Sequence, residues 1–283
     1  MLPVCAILAA IVVGTWNGKW FPSGDSEHRA APEAEARTIA AAGHLLAQGL
    51  AAVDPAGTND VILCLNEIRG PRSAHALCAA IGRTNLTMAV ISGYRRRDRF
   101  DMQQDVILTT LPVVGRNWSV WKSEKGVRPP RGYAHANLLL APAVTASVYA
   151  VHLKSNYRAK TAAVRADNAA KRAVSSRQLV QNEKPRRGQV RRPVVIAGDF
   201  NADPESPEFK DEAIFADLAK AGFVNLLLLL PKEARGTYPN PRHGDSTLDH
   251  IFIRSLDPVG APVIVPAGTV SDHNPVFGLV QVP

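Results

Sequence analysis

The chain reads as an α+β protein built on two packed β-sheets with helices on their outer faces. Three observations carry that reading. Short apolar runs recur along the chain, as in strands buried on both sides, and segments with helical spacing are interspersed among them. No Gly/Ser- or Pro-rich linker and no repeat of about 20 to 50 residues divides the chain. Residues 1–283 are therefore expected to form a single domain, and 46% hydrophobic against 20% charged residues is enough for a full core.

In chain order, Ile7–Trp16 predicts a buried strand and Glu33–Leu50 a helix, with Ile39, Ala42, Leu46 and Leu50 on one face. Val61–Leu65 is a second apolar run, ending in Asn66-Glu67, and Ala74, Leu77, Cys78 and Ile81 mark a short helix. Leu86–Ser92, Asp105–Thr109, Asn137–Leu140 and Ser147–Leu153 follow as strands. A long, mostly polar helix over about Ala159–Asn182 is expected next, with Arg165 and Arg172 in solvent. Val194–Ala197 is a strand stopped by Gly198-Asp199-Phe200-Asn201, and Phe209–Gly222 reads as a helix. The leucines Leu226–Leu230 fit either helix or strand; Leu248–Ile253, Val263–Val265 and Val276–Val280 close the chain as strands.

Lys and Arg exceed Asp and Glu by 33 to 25, and the net charge of +8 favours an anionic partner. Much of the excess lies in Arg95–Arg99 and Lys184–Arg192, each of which alone reads as a solvated loop. Cys5, Cys64 and Cys78 form neither a disulfide framework nor a zinc motif, and the last two read as small core residues. Leu2–Val13 is apolar but lacks a basic start and runs straight into the first strand. No complete signal peptide is therefore expected, and cytoplasmic and exported locations both fit. The segment is too short to span a bilayer, and no aromatic-rich stretch marks stable membrane insertion. Oligomeric state leaves no mark in the sequence.

The chemistry lies where polar residues meet strand ends. Asn17, Glu67, His152, Asp199 with Asn201, and Asp249 each end or abut an apolar strand, and Asp272-His273 precedes the last one. Singly, each has an ordinary explanation: a strand-end ion pair for Glu67, a structural histidine for His152, a turn for Gly-Asp-Phe-Asn. Together they match phosphoester hydrolysis, which needs a hard cation, a base for water and donors for developing charge. Glu67 is the right ligand type for Mg²⁺, with Mn²⁺ as a substitute. Asp199 and Asn201, at i and i+2 in extended chain, leave on one face, so one can orient water while the other donates to phosphate. Asp249 suits the role of a carboxylate that fixes the tautomer of His273. Lys154 and Asn156, just past His152, fit substrate contact and solvation equally well. His250 should point away from Asp249 into a structural role; His28, His44, His75, His135 and His243 have no supporting context, and Trp16 and Trp20 read as core.

These residues also carry a resemblance. Thr15-Trp16-Asn17, Leu65-Asn66-Glu67, Val151-His152-Leu153-Lys154-Ser155, Gly198-Asp199-Phe200-Asn201, Leu248-Asp249-His250-Ile251 and Ser271-Asp272-His273-Asn274-Pro275 resemble the ordered strand-end motifs of the endonuclease/exonuclease/phosphatase (DNase I-like) superfamily. The resemblance implies a four-layer α/β sandwich of two central, mainly antiparallel β-sheets flanked by helices. It implies Glu67 as metal ligand with Asn17 and Asp272 close by, Asp199 orienting or deprotonating water, and Asn201 positioning it and the phosphate. His152 and His273 would contact phosphate oxygens, with either Asp199 or His273 as the base. Three positions depart from the pattern. Lys19 stands where some of these nucleases have an acid, Asn66 stands where Gln is usual, and the acidic partner of His152 is left between Asp98 and Asp101. A phosphodiesterase or nuclease is the expected activity. The alternatives are an enzyme of a small phosphorylated metabolite or lipid head group and, last, a non-catalytic binding module.

Overall fold

Residues 10–25, 28–96, 99–184, 191–210, 212–240 and 244–283 are described by the structure, a computed structural model. Cys5, Asp98, His243, the start of the first expected strand and most of the second basic run lie outside them.

Strand β1 (Ile11–Phe21) leads through helix α1 (Pro32–Val53) into a parallel neighbour, β2 (Asp60–Ile68). Helix α2 (Pro71–Ala80) and β3 (Thr87–Ile91) follow, then a two-stranded hairpin of β4 (Arg95–Arg96) and β5 (Arg99–Phe100), then β6 (Gln104–Thr109). The second half repeats the scheme. Antiparallel β7 (Val113–Val120), β8 (Gly132–Ala141) and β9 (Val144–His152) lead through α3 (Ala162–Asn182) into β10 (Val194–Asp199), parallel to β9. Helix α4 (Ala213–Lys220), β11 (Val224–Asn225), β12 (Asp249–Arg254), β13 (Asp257–Pro258), β14 (Val263–Ile264) and β15 (Val276–Gln281) complete the chain. Among the described residues one sheet runs β13-β15-β1-β2-β6-β3 with β14 beside β15, and the other runs β11-β12-β10-β9-β8-β7.

Strand alternation separates three apolar layers. Ile11, Val13, Ile62, Cys64 and Ile107 of the first sheet meet Val148, Ala150, Val195, Ala197, Ile251 and Ile253 of the second in the middle. The intervening Val12, Leu63 and Leu65 turn outward onto Ala42, Leu46, Leu50 and Leu77 of α1 and α2. On the opposite side Tyr149, Val151 and Ile196 pack on Leu179, Ile214 and Leu218 of α3 and α4. Two helix layers around two sheets give the four-layer sandwich. No described helix is long and apolar enough to cross a membrane.

Four local expectations change. β7 was not foreseen: it is an edge strand with Val114, Trp118 and Val120 exposed, so no apolar alternation announces it. The expected helix Phe209–Gly222 divides into a 3₁₀ turn at Pro207–Phe209 and the shorter α4, and the leucine run folds as a 3₁₀ turn, Leu226–Leu229. Arg172 is not solvated; it is fully buried, with Nε 3.1 Å from both carboxylate oxygens of Glu212. Its other nitrogens bond Glu212, the carbonyl of Lys154 and Asn156 Oδ1, so α3 clamps the segment that follows β9. Breaking a buried pair from one side strands the other charge. Arg172→Met should therefore destabilise the fold by about 3–5 kcal/mol in urea unfolding, and adding Glu212→Leu should recover most of that loss.

Candidate active site

Several rows of side chains that line the middle layer end in a polar residue at the same rim. Ile11-Val13-Thr15 of β1 ends in Asn17, Ile62-Cys64 of β2 in Asn66, Val148-Ala150 of β9 in His152, and Val195-Ala197 of β10 in Asp199. Antiparallel β12 begins with Asp249 before Ile251 and Ile253, so it delivers its acid to the same end. Register makes the grouping strict. Asn17 pairs with Asn66, while Asp199 lies between His152 on one side and Asp249 on the other, all three on one face.

Contacts across the gap tie these rows together. Asn17 Nδ2 donates to Asp199 Oδ2 at 2.9 Å and approaches Glu67 Oε1 at 3.4 Å. The Asp199 amide donates to Asn66 Oδ1 at 2.9 Å, and Asp199 Oδ1 accepts the Asn201 amide at 2.8 Å. His152 Nε2 lies 3.6 Å from both Glu67 Oε1 and Asp199 Oδ2. His273 Nδ1 meets Asp249 Oδ2 at 2.7 Å, and its Nε2 lies 3.9 Å from Asp199 Oδ2. The loop bearing His273 is fixed to β1: Ser271 Oγ donates to Asn17 O, and Trp16 Nε1 donates to His273 O. Buried Asp199 and Asp249 thus share a rigid mouth with two histidines, two asparagines and Glu67.

Comparison with known proteins gives the chain's family. Residues 14–273 match the model of the Endonuclease/Exonuclease/phosphatase family. The chain belongs to that family. No curated protein sequence matches. Among solved structures, the chain is similar to D. rerio TDP2 complexed with single strand DNA product, at 14% identity and TM-score 0.60 over 96% of this chain and 99% of that one. It is similar to the human Nocturnin catalytic domain with bound sulfate anion (16%, 0.62, 97% and 95%). An endonuclease/exonuclease/phosphatase from Beutenbergia cavernae gives 18%, 0.62, 97% and 72%. At these identities the likeness concerns the fold, which is DNase I-like.

The mouth of this family member carries part of the chain's backbone strain. Lys19, Trp20, Glu67 and Asn201 all adopt positive φ, between 50° and 58°, a region that side chains other than glycine seldom enter. Alternation would send Glu67 to the face opposite Asn66. The left-handed turn and the adjoining bulge bring its carboxylate back to Asn17, where Oε2 accepts the Trp20 amide at 3.0 Å. Gly198 solves a different problem, since a Cβ there would lie 1.9 Å from Val151 O, inside the β9–β10 pairing.

Burial sets the charge states. It pushes Asp199 up to about 7 against the pull of His273, and raises Glu67 against the pull of Arg131. Burial alone would lower His273, but the carboxylates of Asp249 and Asp199 outweigh it and carry the imidazole up to about 10. His152 goes the other way. Burial, reinforced by Arg131, holds it well below the ordinary histidine value, and its Nδ1 is buried without a partner among the described residues.

Not every expected residue joins the group. Acidic and histidine donor atoms within 4.8 Å of one another come from Asp199, Asp249 and His273, a set without Glu67 or Asp272. Asp272 instead meets Lys19 Nζ at 3.2 Å, on a partly exposed lip. Lys154 Nζ donates to Ser155 O, and Asn156 is engaged by Glu208, Asn168 and Arg172. Asp101 accepts the Gln103 amide and does not meet His152 Nδ1. His250 is buried between Asn225 and Ala202 O, and Trp16 is core, as read from sequence; Trp20 is only partly buried.

Sequence reasoning passed over Arg131, which donates to the carbonyls of His152 and Leu153, and Thr237, whose hydroxyl accepts the amides of Leu248 and Asp249. It also missed Tyr238, whose ring packs 5.0 Å from that of His273. Asp105 is the most informative omission. It ends the Ile107 row of β6, the same signal that marked Asp249, and burial pushes it up to about 7 while bonds from Asn66 and Tyr94 pull it back. A buried acid raised from 3.8 to about 7 holds its proton longer when folded. Its favourable contribution is complete below 3.8 and is lost as pH rises towards 7. The melting temperature of Asp105→Asn should therefore gain on wild type as pH goes from about 4 to 7.5, by differential scanning fluorimetry.

Proposed function

We propose that this family member is a metal-dependent phosphodiesterase, acting on nucleic acid, that cleaves a P–O bond with water activated at Asp199. The observation that carries the reading is the Asn17–Asp199 and Asp249–His273 constellation at one rigid mouth. Asp199, held through both oxygens and its amide, orients the attacking water and takes its proton. His273, kept protonated by two carboxylates, donates from Nε2 to the phosphoryl or leaving oxygen, with Asp249 fixing its orientation. Neutral His152 and the side-chain NH₂ of Asn201 contact the remaining phosphate oxygens.

A divalent cation fits the donor set. Glu67 is a buried, hard-oxygen ligand, and its ion-pair neighbour among the described residues is His152, which burial keeps uncharged. Glu67, with Asn17 beside it, would hold Mg²⁺ or Mn²⁺; once bound, the ion polarises the phosphoryl oxygen. Asp272 is paired with the Lys19 ammonium at the lip and on this reading stays out of the ligand set.

The net charge of +8 favours a polyanion, and the single-stranded DNA product bound by the TDP2 neighbour supports the same choice. On this reading Lys154 and the edge around Asn156 would meet the flanking chain, exchanging their present internal bonds for it. Turnover of a chromogenic phosphodiester, a phosphomonoester and plasmid DNA, each with Mg²⁺ and with EDTA, tests the reading. Metal-dependent cleavage of diester and DNA is expected, with Asp199→Ala lowering kcat by about 10²–10⁴-fold. Cleavage of monoester alone would move the assignment to a small phosphorylated metabolite, and undiminished activity of Asp199→Ala would remove the mechanism.

A further inference from the structure

Asp105 is a fully buried acid with no Lys, Arg or His nitrogen in ion-pair reach among the described residues, and nothing in the proposed chemistry uses it. Its side chain is nevertheless fully engaged. Oδ1 accepts Asn66 Nδ2 at 2.7 Å and Oδ2 accepts the Tyr94 hydroxyl at 2.9 Å. Its amide donates to Ser92 Oγ at 2.9 Å, and Ser92 N returns a bond to its carbonyl, so β6 and the end of β3 hold it rigidly. Asn66, also fully buried, makes one further side-chain bond, accepting the Asp199 amide through Oδ1 at 2.9 Å.

An asparagine amide has two ends of nearly equal size and opposite polarity. Only one orientation serves Asp199: the reverse would set the NH₂ group of Asn66 against a backbone N–H. A carboxylate is acceptor-only, and with a proton on Oδ2 beside the Tyr94 hydroxyl it still keeps Oδ1 as an acceptor, so at position 105 it draws the NH₂ of Asn66 towards itself and leaves the oxygen facing Asp199. We infer that Asp105 is a positioning residue for Asp199, acting through the amide of Asn66 across the gap between the sheets. The inference rests on the hydrolase reading for its effect on rate, though not for its effect on geometry. Without an acceptor at 105 the Asn66 amide loses its preferred sense, the Asp199 amide loses a fixed partner, and the carboxylate drifts from the reacting phosphate.

Asp105→Leu removes both acceptors; Asp105→Asn keeps an oxygen for Asn66 while its NH₂ can turn to the Tyr94 oxygen. With a chromogenic phosphodiester and Mg²⁺, Asp105→Leu should lower kcat by about 10- to 100-fold with KM changed less than about twofold. Asp105→Asn should restore most of the rate. Rescue by the amide separates positioning from a need for negative charge, and the kcat–KM split separates it from general destabilisation. A folded Asp105→Leu protein with wild-type kcat, or an Asp105→Asn protein as slow as it, overturns the inference. If Asp105→Leu does not fold, Asp105→Ala is read with the same expectations. The Asp199 backbone amide in ¹H–¹⁵N spectra reports without any assay: its proton should move upfield in Asp105→Leu and stay near wild type in Asp105→Asn. A wild-type protein inactive on every phosphoester would end the hydrolase reading and leave this spectroscopic test standing; an unmoved Asp199 amide in Asp105→Leu would end the inference alone.

Discussion

Two asparagines of one sheet gripping one aspartate of the other is the contact on which the site depends. Sheets in a sandwich stand about 10 Å apart, and the space between is filled by apolar side chains. At the rim that filling stops, and polar groups must find partners across the gap or remain unpaired. Asn17 takes the Asp199 carboxylate and Asn66 takes its amide, so side chain and backbone of one residue are held from the opposite layer. Once Asp199 is fixed, the ladder does the rest: His152 and Asp249 flank it in register on β9 and β12. Strand pairing places these groups, the turn at the end of β2 adds Glu67, and loops add Asn201 and His273.

That placement is costly. Positive φ at Lys19, Trp20, Glu67 and Asn201 stores about 1–3 kcal/mol each, and Glu67, Asp105, Asp199 and Asp249 are acids withdrawn from water. Burial raises Glu67, Asp105 and Asp199, repulsion from Glu67 adds to Asp105 and from Asp249 to Asp199, and the proximity of Asp199 and Asp249 is what keeps His273 protonated. The penalty and the function have one source. Three apolar layers beneath the mouth offset the strain of these four residues, which adjoin the ends of deeply buried strands.

Much of this was legible because strand periodicity encodes both position and face. Asn17, His152, Asp199 and Asp249 each extend an alternating apolar row, so their convergence follows once two sheets are packed with those rows inward. Glu67 reaches the site only through a left-handed turn, which no periodicity announces. Arg172 was read as solvated because a polar helix gives no sign of which charge meets a partner; its partner, Glu212, lies in a distant segment. β7 escaped because an exposed edge strand has no inner face to pattern, and Thr237 and Tyr238 because loop residues held by tertiary bonds carry no local signal. Asp105 differs from these. Its strand was expected, and it ends an apolar row as Asp249 does; it went unremarked because no motif draws attention to it.

The division between rows and rim bears on where substrate choice resides. Row-end groups are shared by both sheets and cannot move without disturbing the core, so they suit the invariant part of phosphoester chemistry. Lys19, Asp272 and Tyr157 lie outside the rows, partly or well exposed. The Lys19–Asp272 pair is exposed enough for water and salt to weaken it, so an approaching anion can compete with Asp272 for the ammonium at little cost. Beside it Tyr238 packs against His273 with the rings inclined by 59°, and His273 Nε2 lies 3.9 Å from Asp199 Oδ2. For the proposed hydrolysis, selectivity among phosphoesters therefore falls to side chains that can be exchanged without touching the Asn17–Asp199–Asn66 grip.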